Sequence, residues 1–277
     1  MPTARQLELA LAGVALARNW LVGERGTVER IEAEIRRLGT EEPAHGWYDV
    51  PERSVAEGYP EWAPAYDQPG NPIVQLEGPA MARLFAEFEP GRALDAACGT
   101  GRHYAVLAEL GHRVVGVDAT EAMLAIARAR VPAGEFRTGS LTELPLEDGS
   151  VDLAVCSLAL THLPQLGPAV SELARVVRPG GRVLISDVHP LFVALGAQGA
   201  YRAEGERAGY VRNYVHWLGA YLNTFDAAGL DARECHELLY RRQEVDLWAS
   251  RVDIDAEVVA EALVGLPAVV VWDLARP

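Results

Sequence analysis

Residues 93–101 read Ala-Leu-Asp-Ala-Ala-Cys-Gly-Thr-Gly, and their reading decides the fold. Ala93 and Leu94 close an apolar run, and Asp95 is the first charge after it. Gly99 and Gly101 permit backbone angles that a Cβ disfavours, and they leave the main chain open to a ligand. Tyr104, Leu107, Ala108 and Leu110 then recur on one face of a helix. A strand, a glycine turn and a helix N-terminus in that order are the usual cradle of a nucleotide-like cofactor. A second strand, Arg113 to Val117, ends in Asp118, an acid placed to accept hydrogen bonds from ribose hydroxyls.

The cofactor can be narrowed by what is missing. A dinucleotide fingerprint needs a third glycine three positions after Gly101, where this chain has Tyr104. A phosphate-binding P-loop needs a lysine after its last glycine, and here Arg102 and His103 follow. The two carboxylates, Asp95 and Asp118, repel a pyrophosphate. They suit a cofactor with a ribose at one end and a cationic amino acid at the other. Asp95-x-x-Cys98-Gly99-Thr100-Gly101 with Asp118 resembles the class I S-adenosylmethionine-dependent methyltransferases, nearest to the small-molecule branch of quinone and natural-product biosynthesis.

That resemblance implies an α/β fold, a doubly wound and mostly parallel seven-stranded Rossmann-like sheet with a C-terminal hairpin strand. It implies S-adenosylmethionine as cofactor. It places Asp95, Ala97, Gly99, Thr100 and Gly101 in the cofactor loop, and Asp118 and Ala119 at the ribose. Met123 matches the apolar residue that packs on adenine, and Leu158 the lining of the methionine end. Ser140 and Leu141 stand where the family usually has Gly-Asp against the adenine amino group; serine there brings no charge. His103 is expected to support the loop, and Tyr66 resembles a lid tyrosine. The resemblance is strong over residues 55–190 and weak at both ends of the chain.

Composition sets outer bounds. The 277 residues are 49% hydrophobic, enough for one large α/β domain with an extension. A formal net charge of −14 disfavours nucleic acid as substrate. Cys98, Cys156 and Cys235 form no C-x-x-C pair, which argues against a zinc site or disulfide scaffold and fits a reducing cytoplasm. No stretch reads as a membrane span, and no spacing of His, Cys and acids predicts a metal site.

The remaining chain divides at about residue 72. Residues 1–72 are expected to form a helical extension and part of a lid; residues 73–277 the cofactor domain, with an insertion at 189–215 that joins residues 40–72 in the lid. In the extension, Leu7, Leu11, Val14 and Leu21 run at helical spacing, and Gly23 and Gly26 break it into two helices. The stripe must be buried, and a homo-oligomer is favoured slightly over a roof on the acceptor pocket. Between Gly39 and Pro72, prolines alternate with Trp47, Tyr48, Tyr59, Trp62 and Tyr66, which reads as an ordered lid without helix or strand.

Strands are expected at 113–117, 135–138, 151–157, 182–187, 231–240 and 268–274, with helices at 72–88, 121–130, 166–177 and 213–228. The alternation predicts a parallel sheet covered on both faces. Methyl transfer asks for alignment, exclusion of water, and a base where the acceptor carries a proton. Histidine suits that base. His162 and His189 follow strands at their carboxyl ends, where open α/β sheets bind ligands, and His216 lies in the helical stretch after the insertion. The expected acceptor is an aromatic or apolar small molecule. The rival expectation is a protein of this fold that transfers no methyl group, a cyclase or a regulatory subunit.

Overall fold

Near-continuous apolar runs such as Val151–Ser157 cannot face water on either side, and they build the centre of a sheet covered on both faces. The structure, a computed structural model, describes residues 4–41, 50–68, 71–202, 208–250 and 252–277. Trp47 and Tyr48 of the expected lid lie outside the described residues.

The chain opens with helices α1 (Ala4–Asn19) and α2 (Arg25–Thr40). Strand β1 (Glu52–Arg53), helix α3 (Val55–Trp62), a 3-10 turn at Ala63–Ala65 and helix α4 (Pro72–Phe85) follow. The alternating unit then runs β2 (Arg92–Ala96), α5 (Arg102–Glu109), β3 (Arg113–Asp118), α6 (Glu121–Arg130), β4 (Glu135–Thr138) and β5 (Val151–Ser157). A 3-10 turn at Leu160–His162 leads to α7 (Gly167–Val176), β6 (Val177–Val188) and α8 (Pro190–Ala194). The rest is β7 (Gly199–Arg202), β8 (Ala208–Val211), α9 (Leu218–Ala227), β9 (Asp231–Leu239), α10 (Arg242–Ala249), α11 (Ala256–Leu263) and β10 (Pro267–Ala275).

Seven strands form one sheet in the order β4-β3-β2-β5-β6-β10-β9. The pairs from β4 to β6 are parallel, and β10 runs antiparallel to both neighbours. The expected mostly parallel sheet with one hairpin strand is what the chain builds. One apolar layer, with Leu153, Val155, Leu184 and Val271, lies under α4 and α5. The other, with Ala154, Cys156, Ile185 and Val270, lies under α7 and α9. The reversal of strand order between β2 and β5 opens a crevice at the carboxyl edge, the usual ligand position in such sheets.

The lid departs from expectation in its secondary structure. Residues 55–62 are helical despite Pro60, because the Glu57 carboxylate caps the helix start by accepting from Ser54 N–H and Ser54 Oγ–H. A second sheet, in the order β1-β8-β7, then joins this segment to the 199–211 insertion, with β1 parallel to β8. Trp62 stacks on Tyr201 at 5.7 Å, and Tyr201 donates to Glu61. Two distant chain segments therefore make one cap over the carboxyl edge.

The N-terminal helices also differ. Leu11, Ala12 and Ala15 are buried, whereas Leu7 and Leu21 of the expected stripe are exposed. The helix is rotated because polar anchors set its face. Arg18 donates to the carbonyls of Glu261, Ala262 and Val264 at the end of α11. Glu8 and Glu34 accept the amides of Asp253 and Asp255 just before that helix. The two N-terminal helices pack on their own chain at α11. Helix α9 starts at Leu218, five residues later than expected, so His216 lies in the extended approach to it. Gly229 stops that helix at φ +71°.

Candidate cofactor and acceptor site

The glycine loop joins β2 to α5 and carries two left-handed glycines, Gly99 at φ +53° and Gly101 at φ +75°. A Cβ on Gly99 would project into open space, while one on Gly101 would meet the Ala127 Cβ of α6 at 3.0 Å. Two residues with side chains also take positive φ: Ala97 after β2 and Leu158 after β5, both at 54°. Strain of this kind costs about 1–3 kcal/mol per residue and collects at ligand sites. Here it lies on both walls of the crevice.

Asp118, at the end of β3, spans the loop. One carboxylate oxygen accepts Gly99 N–H at 2.8 Å and the other accepts Thr120 N–H at 2.7 Å. Burial pushes its carboxyl upward, and those amides pull the other way. Asp95, at the end of β2, is buried, and burial pushes it up to about 7. Its Oδ2 has no hydrogen-bond partner among the described residues. A buried oxygen without a partner is costly, and an ammonium group would satisfy it.

The cleft between loop and lid is lined by Tyr66, Asp95, Ala97, Cys98, Gly99, Thr100, Arg102, His103 and Ser157 and encloses about 20 Å³. Six of these were expected at the cofactor from sequence; Cys98, Arg102 and Ser157 were not. Tyr66 and Ala63 pack on Met123, which brings the lid against the expected adenine position. Asp67 accepts from Thr100 Oγ–H at 2.5 Å and pairs with Arg130 at 2.6 Å, latching the lid to the loop. Ser140 is exposed and bonds to Thr142, next to the half-buried Leu141. Ala119 follows Asp118 at the strand end.

His103 borders the cleft and anchors its base. Its Nε2 meets Glu77 of α4 at 3.0 Å, and Arg102 and Ser186 reach the same carboxylate at 2.5 and 2.6 Å. Burial alone would raise the Glu77 carboxyl, but His103 and Arg102 hold it well below the usual carboxylate range. Glu77 thus ties α4, α5 and β6 together under the cleft. Its signal in the sequence is an acid on the apolar face formed by Ile73, Leu76, Ala80 and Met81.

The three candidate histidines separate. His189 caps α8: its Nδ1 accepts Leu191 N–H, and its Nε2 meets Glu237 of β9 at 2.8 Å. His216 Nε2 donates to the Leu163 carbonyl, and its ring lies edge-on to Tyr221. Both serve local structure. His162 differs. Its Nδ1 donates to the Arg212 carbonyl at 2.9 Å, which leaves the Nε2 lone pair to accept the Tyr59 hydroxyl at 2.7 Å. Burial lowers its pKa, so the ring is neutral with a basic nitrogen facing the lid. Nearby Asp187 ends β6, accepts Tyr221 O–H at 2.7 Å and is pushed up to about 7 by burial. Among the described residues no group of three or more His, Cys, Asp or Glu could hold a metal ion.

Residues 94–185 match the methyltransferase domain family. A methyltransferase domain therefore accounts for this stretch of the chain. Over 116 residues the chain is 37% identical to the demethylmenaquinone methyltransferase of Clavibacter sepedonicus, covering 41% of this chain and 47% of that protein. The chain spans about a third to a half of the length of the curated relatives it matches. An S-adenosylmethionine-dependent methyltransferase from Mesorhizobium loti shares the fold at TM-score 0.56 and 24% identity, over 73% of this chain and 98% of that one. The [4+2]-cyclase SpnF shares it at TM-score 0.58 and 19% identity, over 82% of this chain and 98% of that one. The matched segment starts within β2 and ends within β6, so it contains the glycine loop, Asp118, Met123, Leu158 and His162. Among the described residues no helix of the chain is long and apolar enough to cross a membrane.

Proposed function

We propose that this chain transfers the methyl group of S-adenosylmethionine to a flat or apolar small molecule that carries an ionisable proton. The observation that carries this reading is the pair of strand-end carboxylates flanking the glycine loop, with Asp95 Oδ2 unpartnered and Asp118 holding the loop amide. When bound, the cofactor supplies a methyl group already activated on a sulfonium. Asp118 receives the ribose hydroxyls and Asp95 the amino-acid ammonium. Met123 and Tyr66 enclose the apolar parts, and Leu158 borders the methionine end. The cleft beneath Tyr66 encloses about 20 Å³, so the lid lifts to admit the cofactor and closes again to exclude water.

His162 is the base in this reading. Its neutral ring offers Nε2 at the carboxyl end of β5, and an acceptor hydroxyl would take the place now held by the Tyr59 hydroxyl. The acceptor proton would pass to Nε2 as the acceptor atom bonds to the methyl carbon and the methyl–sulfur bond breaks, its electron pair leaving on the sulfur of S-adenosylhomocysteine. His189 and His216 are proposed as positioning residues, since each spends its Nε2–H on a protein oxygen, Glu237 or the Leu163 carbonyl, and offers no lone pair there. The aromatic cap of Tyr59, Trp62, Tyr66 and Tyr201 supports a flat acceptor. Three free cysteines support residence in a reducing cytoplasm.

Release of S-adenosylhomocysteine over a panel of phenols, quinols and carbon acids tests the proposal. Turnover with at least one, lost in Asp118→Ala, is expected. Tight cofactor binding without product release across the panel would favour the non-transferring reading, which the likeness to a cyclase keeps in view.

A further inference from the structure

A cleft of about 20 Å³ admits no cofactor while its lid is in place, so whatever holds the lid lies on the path of cofactor exchange. Two ties hold it. On the acceptor side Tyr59 donates to His162 Nε2, and Trp62 stacks on Tyr201 of the insertion. On the cofactor side three polar groups close a triangle. Thr100 Oγ–H donates to Asp67 Oδ2 at 2.5 Å, and Arg130 Nη2 donates to the same oxygen at 2.6 Å. Arg130 Nη1 completes it by donating to Thr100 Oγ at 3.2 Å. We infer that Asp67, Thr100 and Arg130 form the gate for cofactor exchange, and that this gate opens independently of the Tyr59 tie.

Each member comes from a different element. Asp67 follows the 3-10 turn of the lid, Thr100 stands between the two left-handed glycines, and Arg130 lies in the last turn of α6. On α6, Met123, Ile126 and Arg130 recur at the spacing of one helix face. The apolar members of that face pack against Ala63 and Tyr66 of the lid. Apolar contact is non-directional and tolerates a lid that slides. Hydrogen bonds that converge on one carboxylate oxygen do not, so they fix where the lid stops.

The gate is also cheap to open. Arg130 and Asp67 keep 31% and 24% of their side-chain surface exposed, so water receives both charges when the lid lifts. Through Thr100 the same contact reaches the glycine loop, so lid and loop are held together or released together. The Tyr59 tie sits apart, at the carboxyl end of β5, where its hydroxyl occupies the place of the acceptor.

Stopped-flow release of S-adenosylhomocysteine from the full chain, chased with excess S-adenosylmethionine, tests the inference, which rests on the cofactor reading above. Arg130→Met keeps an apolar stem and removes the charge, and it should raise the dissociation rate about fivefold. Asp67→Asn should act alike, and the double variant no more than either, because both break one link. Added salt should speed release from the wild type and leave Arg130→Met unchanged. Tyr59→Phe cuts the other tie and should release at the wild-type rate. In the free protein, amide hydrogen exchange across α3 should quicken in Arg130→Met. Wild-type dissociation in both Asp67→Asn and Arg130→Met would overturn the inference. So would a Tyr59→Phe variant that releases as fast as they do. A wild type that binds no S-adenosylhomocysteine would instead sink the cofactor reading, and the gate with it.

Discussion

Tyr59 of the lid donates its hydroxyl hydrogen to Nε2 of His162 across 2.7 Å, while the other ring nitrogen is held by the Arg212 carbonyl. The lid helix and the insertion therefore jointly fix which nitrogen of the ring is basic. Arg212 is itself paired with Glu52 of β1, so the small sheet sets the tautomer. His162→Asn should lower kcat by about a hundredfold or more, with S-adenosylhomocysteine affinity unchanged by calorimetry. Tyr59→Phe should retain turnover, since it removes only the hydroxyl that the acceptor replaces. Equal kcat in His162→Asn and wild type would remove histidine from the chemistry.

Asp118→Ala should weaken cofactor binding at least about tenfold, as charged hydrogen bonds are worth about 1.5–3 kcal/mol each. Alanine also releases the amides of Gly99 and Thr120, which both bond to this carboxylate. Asp118→Asn separates the two losses, because an amide oxygen still accepts one of these N–H groups. A calorimetric affinity equal to wild type in both variants would contradict the ribose role.

The two loop glycines should respond differently. Gly99→Val puts a side chain into open space at the loop, so binding should be lost while the unfolding midpoint falls only by the cost of a strained φ. Gly101→Val must displace Ala127, whose Cβ lies 3.0 Å from the added atom, and α6 with it. That variant should lose both binding and several degrees of thermal stability. Circular dichroism melts beside calorimetry will distinguish them, and identical behaviour of the pair would refute the assigned directions.

Cofactor affinity should rise with pH up to neutrality. Burial pushes Asp95 from 3.8 up to about 7, so below that value the carboxyl is neutral and cannot pair with an ammonium. S-adenosylhomocysteine should bind more weakly by up to about tenfold per pH unit below 7, releasing a buffer proton on binding, and Asp95→Asn should flatten the profile. Stability moves the opposite way. An acid whose folded pKa is raised favours the fold at low pH, and that contribution is lost as pH rises through about 7. Asp187 adds to the same trend, so Asp187→Asn should raise the unfolding midpoint more at pH 8 than at pH 4, as a melting series would reveal. A flat wild-type profile in both measurements would mean that neither carboxyl is perturbed.

Local sequence determined the sheet and its cofactor loop, because both rest on short-range rules. Apolar runs of strand length, Gly99 and Gly101 at left-handed angles, and acids at strand ends all lie within a few residues of one another. Only the tertiary structure decided the roles of the histidines. Their Nε2 partners are Glu237, Leu163 and Tyr59, between 48 and 103 residues away in the chain, and no local pattern encodes such distances. The same holds for the buried face of α1, chosen by Arg18 and Glu8 reaching α11 more than 240 residues on, and not by the periodicity of Leu7, Leu11, Val14 and Leu21. Periodicity measures how apolar a helix face is; which face is buried depends on the polar groups that await it across the interface.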